Sequence, residues 1–298
     1  MVKYLLYKIG QWLINLIPRK AAYSLAEFFA GIQFRLSPRD RQAVRKNLRA
    51  VCGPHAPLDD LSRQVFKNFG KFLVDFFRIK HDLNDSLLQD RLFLTGFEKL
   101  EKALARGQGV ILLTAHLGNW ELGGLLVGHL GYPVTAIALP HRERKVNELF
   151  NQQRRLKGMN VVPVNLSIRR CLRVLKDNGI VAMLADRDFT ATGEPRPLFG
   201  HLTMIPKGAA LFAYRTGAAV LPAFLYRNDD DTYRLLIGDL FEQPDGYPNV
   251  DEGSFVEHFL DQQAAVLEYY IREDPAQWLI FRRFWIDSRK GPEKVTHT

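Results

Sequence analysis

The sequence predicts an α/β fold with a mostly parallel central sheet flanked by helices, preceded by a basic helical region. Three observations carry that expectation. From Arg91 onward, short apolar runs of strand length alternate with helical stretches. Gly109 to Gly124, GVILLTAHLGNWELGG, passes from a buried-strand pattern through a glycine turn into a helix. Finally, residues 1–80 carry fifteen Lys/Arg against five Asp/Glu, whereas the remainder is close to balanced at 26 against 27. The division expected is therefore a helical region over 1–80 and an α/β domain over 81–298.

Taken in order, residues 2–17 place Leu5, Leu6, Ile9, Trp12, Leu13, Leu16 and Ile17 at helical spacing until Pro18 stops the helix. The uncharged run from Ile9 to Pro18 is about half of the ~20 residues that a membrane span needs. No small-residue cleavage site follows it. A helix lying in a membrane interface, with Trp12 and flanking basic residues as anchors, fits better, and an amphipathic helix packed on the domain is the alternative. Ala21 to Leu36 continues as an apolar helix interrupted by Glu27, and with the first it could form a hairpin dipping into one leaflet. Arg39 to Arg49 reads as a basic, solvated or headgroup-facing helix, Cys52 to Pro57 as a loop, and Leu58 to Ile79 as a Phe-rich amphipathic helix.

In the second region, strands are expected at 92–95, 110–114, 134–138, 161–164, 180–185 and 219–226, with a hairpin strand at 233–237 after Asp229-Asp230-Asp231. Helices are expected at 97–105, 120–129, 142–157, 168–177, 206–214 and 255–272. Glu194 to Gly217 reads as a Gly/Pro-rich loop leading into a small-residue helix, and Trp278 to Lys290 as a strand or tail that is both aromatic and basic.

Composition narrows the function. Apolar residues make up 47% and charged residues 24%, so a globular chain is expected. The two cysteines, Cys52 and Cys171, are too far apart in sequence for a disulfide framework and suit a reducing compartment. No His pattern has zinc spacing, so no metal is expected. The basic N-terminal quarter suits anionic lipid or an acidic protein partner. No nucleic-acid motif accompanies the charge, so nucleic acid is not expected.

The chemistry centres on His116, the side chain delivered to the sheet's C-terminal edge, where open α/β folds bind ligands. Glu121, in the first helical turn, could fold back to hold the imidazole as a general base, with Asn119 as N-cap. No nucleophile motif sits beside it, so the attacking group is expected to be a substrate hydroxyl. The helix beginning in HRERK at His141 carries Arg154, which could polarise a carbonyl. Ile180 to Asp188, IVAMLADRD, would bring Asp186, Arg187 and Asp188 to the same edge as His116. Lys207, at a helix N-terminus, offers a place for phosphate or carboxylate. Asn119, Trp120, Asp186, Arg187 and Lys207 are the candidate substrate-binding residues.

In order along the chain, HLGNWE (H-x4-E), Arg154 ahead of Gly158, LADRD, PLFG, TGAAVLPAFLYR and QWLIFRRF resemble the bacterial late lipid A acyltransferases of lauroyl or myristoyl type. These belong to the lysophospholipid acyltransferase group, with its glycerol-phosphate acyltransferase-like fold. The phosphatidylinositol mannoside acyltransferases look related and share the Asp-Arg-Asp of residues 186–188. The match spans about residues 1–285. It implies transfer of a fatty acyl chain from acyl carrier protein or coenzyme A to a glycolipid hydroxyl, a lipid A precursor first of all, at the cytoplasmic face of the bacterial inner membrane. The thioester is a co-substrate, and no cofactor is expected. By position, His116 would be the base, Glu121 its orienting partner and Arg154 the oxyanion-stabilising residue, with no covalent intermediate. Two departures bear on the acceptor: Arg187 stands where the lipid A enzymes commonly have Gln, and Phe281 where they have His. A phosphatidylinositol mannoside or lysophospholipid acceptor is the alternative within the same chemistry. A thioesterase or a non-catalytic lipid-binding protein is the alternative outside it.

Overall fold

A computed structural model describes residues 2–83, 90–156 and 158–286. Four helices come first: α1 (Val2–Leu16), α2 (Arg19–Leu36), α3 (Pro38–Cys52) and α4 (Leu58–Asp82). There follow β1 (Leu92–Thr95), α5 (Phe97–Leu104), β2 (Val110–Thr114), α6 (Trp120–His129), β3 (Val134–Ala138), α7 (Arg144–Arg155) and β4 (Asn160–Pro163). The chain continues with α8 (Ser167–Lys176), β5 (Ile180–Leu184), β6 (Glu194–Leu198), β7 (His201–Ile205), α9 (Gly208–Thr216), β8 (Ala219–Arg227), β9 (Tyr233–Ile237) and α10 (Glu252–Glu273).

Seven strands form one sheet in the order β1-β9-β8-β2-β5-β3-β4. Every neighbouring pair is parallel except β8 with β9, which are antiparallel across the turn at Asp229 to Asp231. The central strands β2 and β8 are apolar and buried on both faces, as a parallel sheet covered by helices requires. One face packs on α8, α9 and α10 through Ile111, Leu113, Phe212 and Leu267; the other packs on α4, α6 and α7 through Leu112, Phe76, Leu125 and Phe150. The expected mostly parallel, helix-flanked sheet is thus present. The helix expected over 142–157 runs Arg144–Arg155; Lys157, and the last four residues of 278–290, lie outside the described residues.

Two local expectations are corrected. The stretch 194–205, read as loop, is an antiparallel hairpin of β6 and β7 in which Leu198 pairs with His201. Phe199 and Gly200 turn it with φ of 51° and 74°, the left-handed pair that a two-residue hairpin turn needs. The basic helix α3 is not merely solvated. It buries Ala43, Val44, Leu48 and Val51, and the Asn47 amide donates to the carbonyls of Ile280 and Arg282 at 3.2 and 2.8 Å. In α1, Tyr4, Tyr7 and Ile14 pack inward while Leu6, Trp12 and Leu16 are each more than 60% exposed. Phe28, Phe29 and Leu36 of α2 are exposed as well. Among the described residues no helix is long and apolar enough to cross a membrane.

Candidate active site

The site is built by strand register. In β2 and β5, Thr114 pairs with Leu184, so the segments leaving the two strands advance together. Ala185 N–H donates to the Thr114 carbonyl at 2.7 Å, and two residues past each strand stand His116 and Asp186. Asp186 is fully buried. One of its oxygens accepts from His116 Nδ1 at 2.8 Å; the other accepts from the His116 backbone N–H at 3.0 Å and from the Trp278 indole at 3.1 Å. Burial pushes the Asp186 carboxyl up, but the facing imidazole and these hydrogen bonds outweigh it and hold the group below the ordinary carboxylate range. An ionised Asp186 makes Nδ1 the protonated ring nitrogen and leaves Nε2 with the lone pair.

This arrangement corrects the pairing expected from sequence. Glu121 does not hold His116. Its two oxygens accept from Arg154 Nε and Nη2 at 2.9 and 2.5 Å, a bidentate buried pair linking α6 to α7. Arg154 Nη1 also donates to Asn151 at 3.3 Å, so two of its five N–H groups are without a partner among the described residues. Burial lowers the Arg154 pKa, yet Glu121 more than compensates and raises it, so the guanidinium stays charged. The physical reason for the correction is geometric: Glu121 faces α7, whereas the strand register had already filled the place beside Nδ1.

The turn between His116 and α6 is fixed from several directions. Gly118 N–H donates to Gln277, Asn119 N–H to Leu225, and Leu279 N–H to the His116 carbonyl, at 2.9, 2.8 and 2.7 Å. Gly118 has φ of 63°, and a Cβ there would stand 2.0 Å from the Leu225 carbonyl oxygen, so only glycine fits. Asn119 is the N-cap, its side-chain oxygen accepting from Leu122 N–H at 3.1 Å. Its amide donates to Asp75 of α4 at 2.8 Å. Asp75 also accepts from Tyr23 at 2.5 Å and pairs with Arg227. Asn119, expected to bind substrate, is instead 2% exposed and spent on this network, which ties the turn to the N-terminal helices.

A cavity of about 500 Å³ opens in front of these groups. His116, Trp120, Glu121, Arg154, Arg187 and Lys207 all line it, and most of its remaining wall is apolar, from Tyr7, Phe69 and Leu73 to Ala182, Met183 and Leu211. Trp120 stacks on Phe72 at 4.4 Å and meets the His116 ring edge-on at 5.0 Å. Phe189 also meets the imidazole edge-on, with ring centroids 6.2 Å apart. Lys207 pairs with Glu194 at 3.3 Å, and Asp188 is used within its own loop, accepting from Thr190 and Gly193. Phe281 packs edge-on against Phe66 and Phe69. Sequence reasoning missed Phe189, Trp278 and the cavity-lining His141. Burial, with Arg154 nearby, lowers the His141 pKa, and Glu121 opposes that shift.

No thiol competes for the role of nucleophile: burial raises the pKa of Cys52 and raises that of Cys171 to about 11, the opposite of activation. Among the described residues no group of three His, Cys, Asp or Glu is placed to hold a metal. What the arrangement offers is an oriented base and a charged guanidinium in the wall of one largely apolar cavity.

Comparison with known proteins agrees with that chemistry. The family described as bacterial lipid A biosynthesis acyltransferase matches residues 1–286. A phosphatidylinositol mannoside acyltransferase of Mycolicibacterium smegmatis is 28% identical over 94% of this chain and 90% of its own. One from Mycobacterium tuberculosis is 30% identical over 72% and 70%. A lipid A biosynthesis palmitoleoyltransferase of Escherichia coli is 26% identical over 83% and 79%.

Proposed function

From the premise that this chain belongs to the bacterial lipid A biosynthesis acyltransferase family and is an acyltransferase, we propose that it moves a fatty acyl chain from a thioester to a glycolipid hydroxyl. The observation that carries the proposal is the His116–Asp186 pair, with the His116 ring in the wall of a largely apolar cavity that Arg154 also lines. His116 Nε2 takes the proton of the acceptor hydroxyl as its oxygen attacks the thioester carbonyl. The tetrahedral oxyanion meets Arg154 across the cavity. Collapse breaks the C–S bond, the imidazolium returns its proton to the leaving sulfur, and ester and thiol depart. Asp186 keeps the proton on Nδ1 throughout and stabilises the imidazolium. Trp120, stacked on Phe72 and edge-on to His116, forms the wall against which the reacting groups lie.

The donor in this reading is an acyl carrier protein or coenzyme A thioester. The acceptor is a membrane glycolipid of the kind named in the relatives, a phosphatidylinositol mannoside or a lipid A precursor. The apolar lining suits the acyl chain. The place of work is a membrane surface on the cytoplasmic side of the inner membrane. The outward apolar residues of α1 and α2, set in the basic N-terminal quarter, support interfacial binding. Tyr7 of α1 lines the cavity, so a helix lying on lipid would bring the site to the acceptor's level.

The test is product analysis. Purified protein on anionic vesicles is given acyl-carrier-protein or coenzyme A thioesters and candidate glycolipids, and products are read by mass spectrometry. An acylated glycolipid with one equivalent of free thiol is expected. Free fatty acid as the only product, whichever acceptor is supplied, would replace transfer by hydrolysis.

A further inference from the structure

On the premise of the acyl-transfer reading, we propose that Arg227 is a positioning residue for the reaction. From the end of β8 it grips the turn after His116 by two separate arms, and so sets where the base stands relative to Arg154.

β8 has nine residues and β2 five. With Leu113 of β2 opposite Pro222, the last residues of β8 run on past β2 and flank the turn, where Gly118 bridges Leu225. The first arm runs through the backbone of Arg227. Its N–H donates to Gln277 Oε1 at 2.9 Å, its carbonyl accepts from Gln277 Nε2 at 2.8 Å, and the Gln277 carbonyl accepts from Gly118 N–H at 2.9 Å. The second arm is the side chain. The guanidinium pairs with Asp75, and the same Asp75 oxygen accepts from the Asn119 amide at 2.8 Å. Two consecutive residues of the turn are thus held from one arginine, by routes that share no intermediate group.

The guanidinium is itself fixed. Its central carbon lies over the Tyr23 and Tyr233 rings, 4.9 and 5.0 Å from their centroids, and Nη1 donates to both hydroxyls at 2.9 and 3.1 Å. Burial lowers the Arg227 pKa, yet Asp75, foremost of the groups opposing it, helps to raise it above its ordinary value, so the charge is kept. The Arg227 and Asp75 side chains are only 8% and 3% exposed. For a pair buried so deeply, the lost hydration offsets much of the attraction, so net stability is a poor account of why it is there. What the pair supplies is position. The turn is the covalent link from His116 to Glu121, and Glu121 holds Arg154. A shift of the turn therefore moves the base relative to the group that meets the oxyanion, and a misplacement of about 1 Å can cost roughly 10²-fold in rate. Asp186 fixes the imidazole tautomer without help from Arg227, so the effect falls on kcat and not on which ring nitrogen carries the proton.

The experiment compares wild type with Arg227→Met, Arg227→Lys and Asn119→Ser on anionic vesicles, using a thioester and glycolipid pair that wild type converts. Rates are normalised to the folded fraction by circular dichroism, and amide hydrogen exchange is followed by mass spectrometry over residues 114–122 and over β5. Serine keeps the cap of α6 and loses only the reach to Asp75. Arg227→Met and Asn119→Ser should each lose roughly ten- to hundred-fold in kcat with KM little changed. Exchange over 114–122 should rise while β5 stays protected. Arg227→Lys, which keeps a charge opposite Asp75, should regain part of both. An arginine that only stabilises the fold would lower the melting temperature and leave kcat per folded molecule at the wild-type value, which would overturn the proposal. So would Asn119→Ser working at the wild-type rate with 114–122 still protected, a result that requires no folded Arg227 variant. Failure of the acyl-transfer reading is seen separately, as absence of acylated lipid from wild type with every pair, and the exchange comparison then still decides whether Arg227 holds the turn.

Discussion

Replacing Asp186 by Asn is the sharpest perturbation of the site, because shape is kept and only charge and one acceptor are lost. The His116 backbone N–H and the Trp278 indole both donate to the same Asp186 oxygen. An Asn amide satisfies them best with its carbonyl oxygen there, which turns its NH2 group toward His116 Nδ1. That nitrogen must then accept, so the ring proton moves to Nε2 and the lone pair facing the substrate is gone. The wrong tautomer in a buried carboxylate–histidine pair costs about 10⁴ in kcat, or about 5.5 kcal/mol of barrier. The assay is thiol release from the acyl thioester, with a thermal melt as control for folding. A loss of roughly 10³- to 10⁴-fold in kcat with little change in KM is expected. Activity within about tenfold of wild type in a folded Asn variant would refute the reasoning. The pH dependence has a definite sign. A carboxyl held below its unfolded value contributes stability that is present above the ordinary carboxylate range and lost as pH falls through the folded value, so the Asn variant should lose that part of the acid transition.

Two further variants separate scaffold from chemistry. Glu121→Gln strands the Arg154 charge in a pair whose side chains are each 10% exposed, and should cost about 3–5 kcal/mol of stability in a denaturant melt; an unchanged melt together with a lost acid limb in the pH–rate profile would return Glu121 to the imidazole. Gly118→Ala combines a left-handed backbone, worth about 1–2 kcal/mol, with a backbone clash against Leu225, so both melting temperature and kcat should fall. A stable, active Ala variant would show that the turn has room to move.

The α/β rhythm was readable because β2, β5 and β8 are uninterrupted apolar runs, which only a doubly covered sheet uses. The delivery of His116 and Asp186 to one rim was readable for the same reason. Their direct pairing was not taken from the sequence, because Glu121 lies nearer along the chain. The signal was nonetheless present, since each residue stands two positions past the end of its strand and the strands are adjacent. The β6–β7 hairpin was hidden by Pro195, Pro197 and Gly200, which punctuate a loop as readily as a short two-stranded ribbon. Asn119 looked like a free polar group beside the base, but Asp75, forty-four positions away, had claimed it. Trp278 read as part of a tail, and its indole proves to be one of three donors on Asp186. Each of these contacts joins distant segments, and side-chain pairing across such distances leaves no periodicity to detect.

The central claim is that His116 is the base of an acyl transfer. The most direct measurement places wild type and His116→Ala, matched by circular dichroism and melting temperature, with the same thioester and glycolipid and quantifies the acylated product by mass spectrometry. The account predicts that product and thiol appear together with wild type and that both fall by at least about 10³-fold in the variant. Acylated glycolipid formed by a folded His116→Ala at a rate near that of wild type would contradict it.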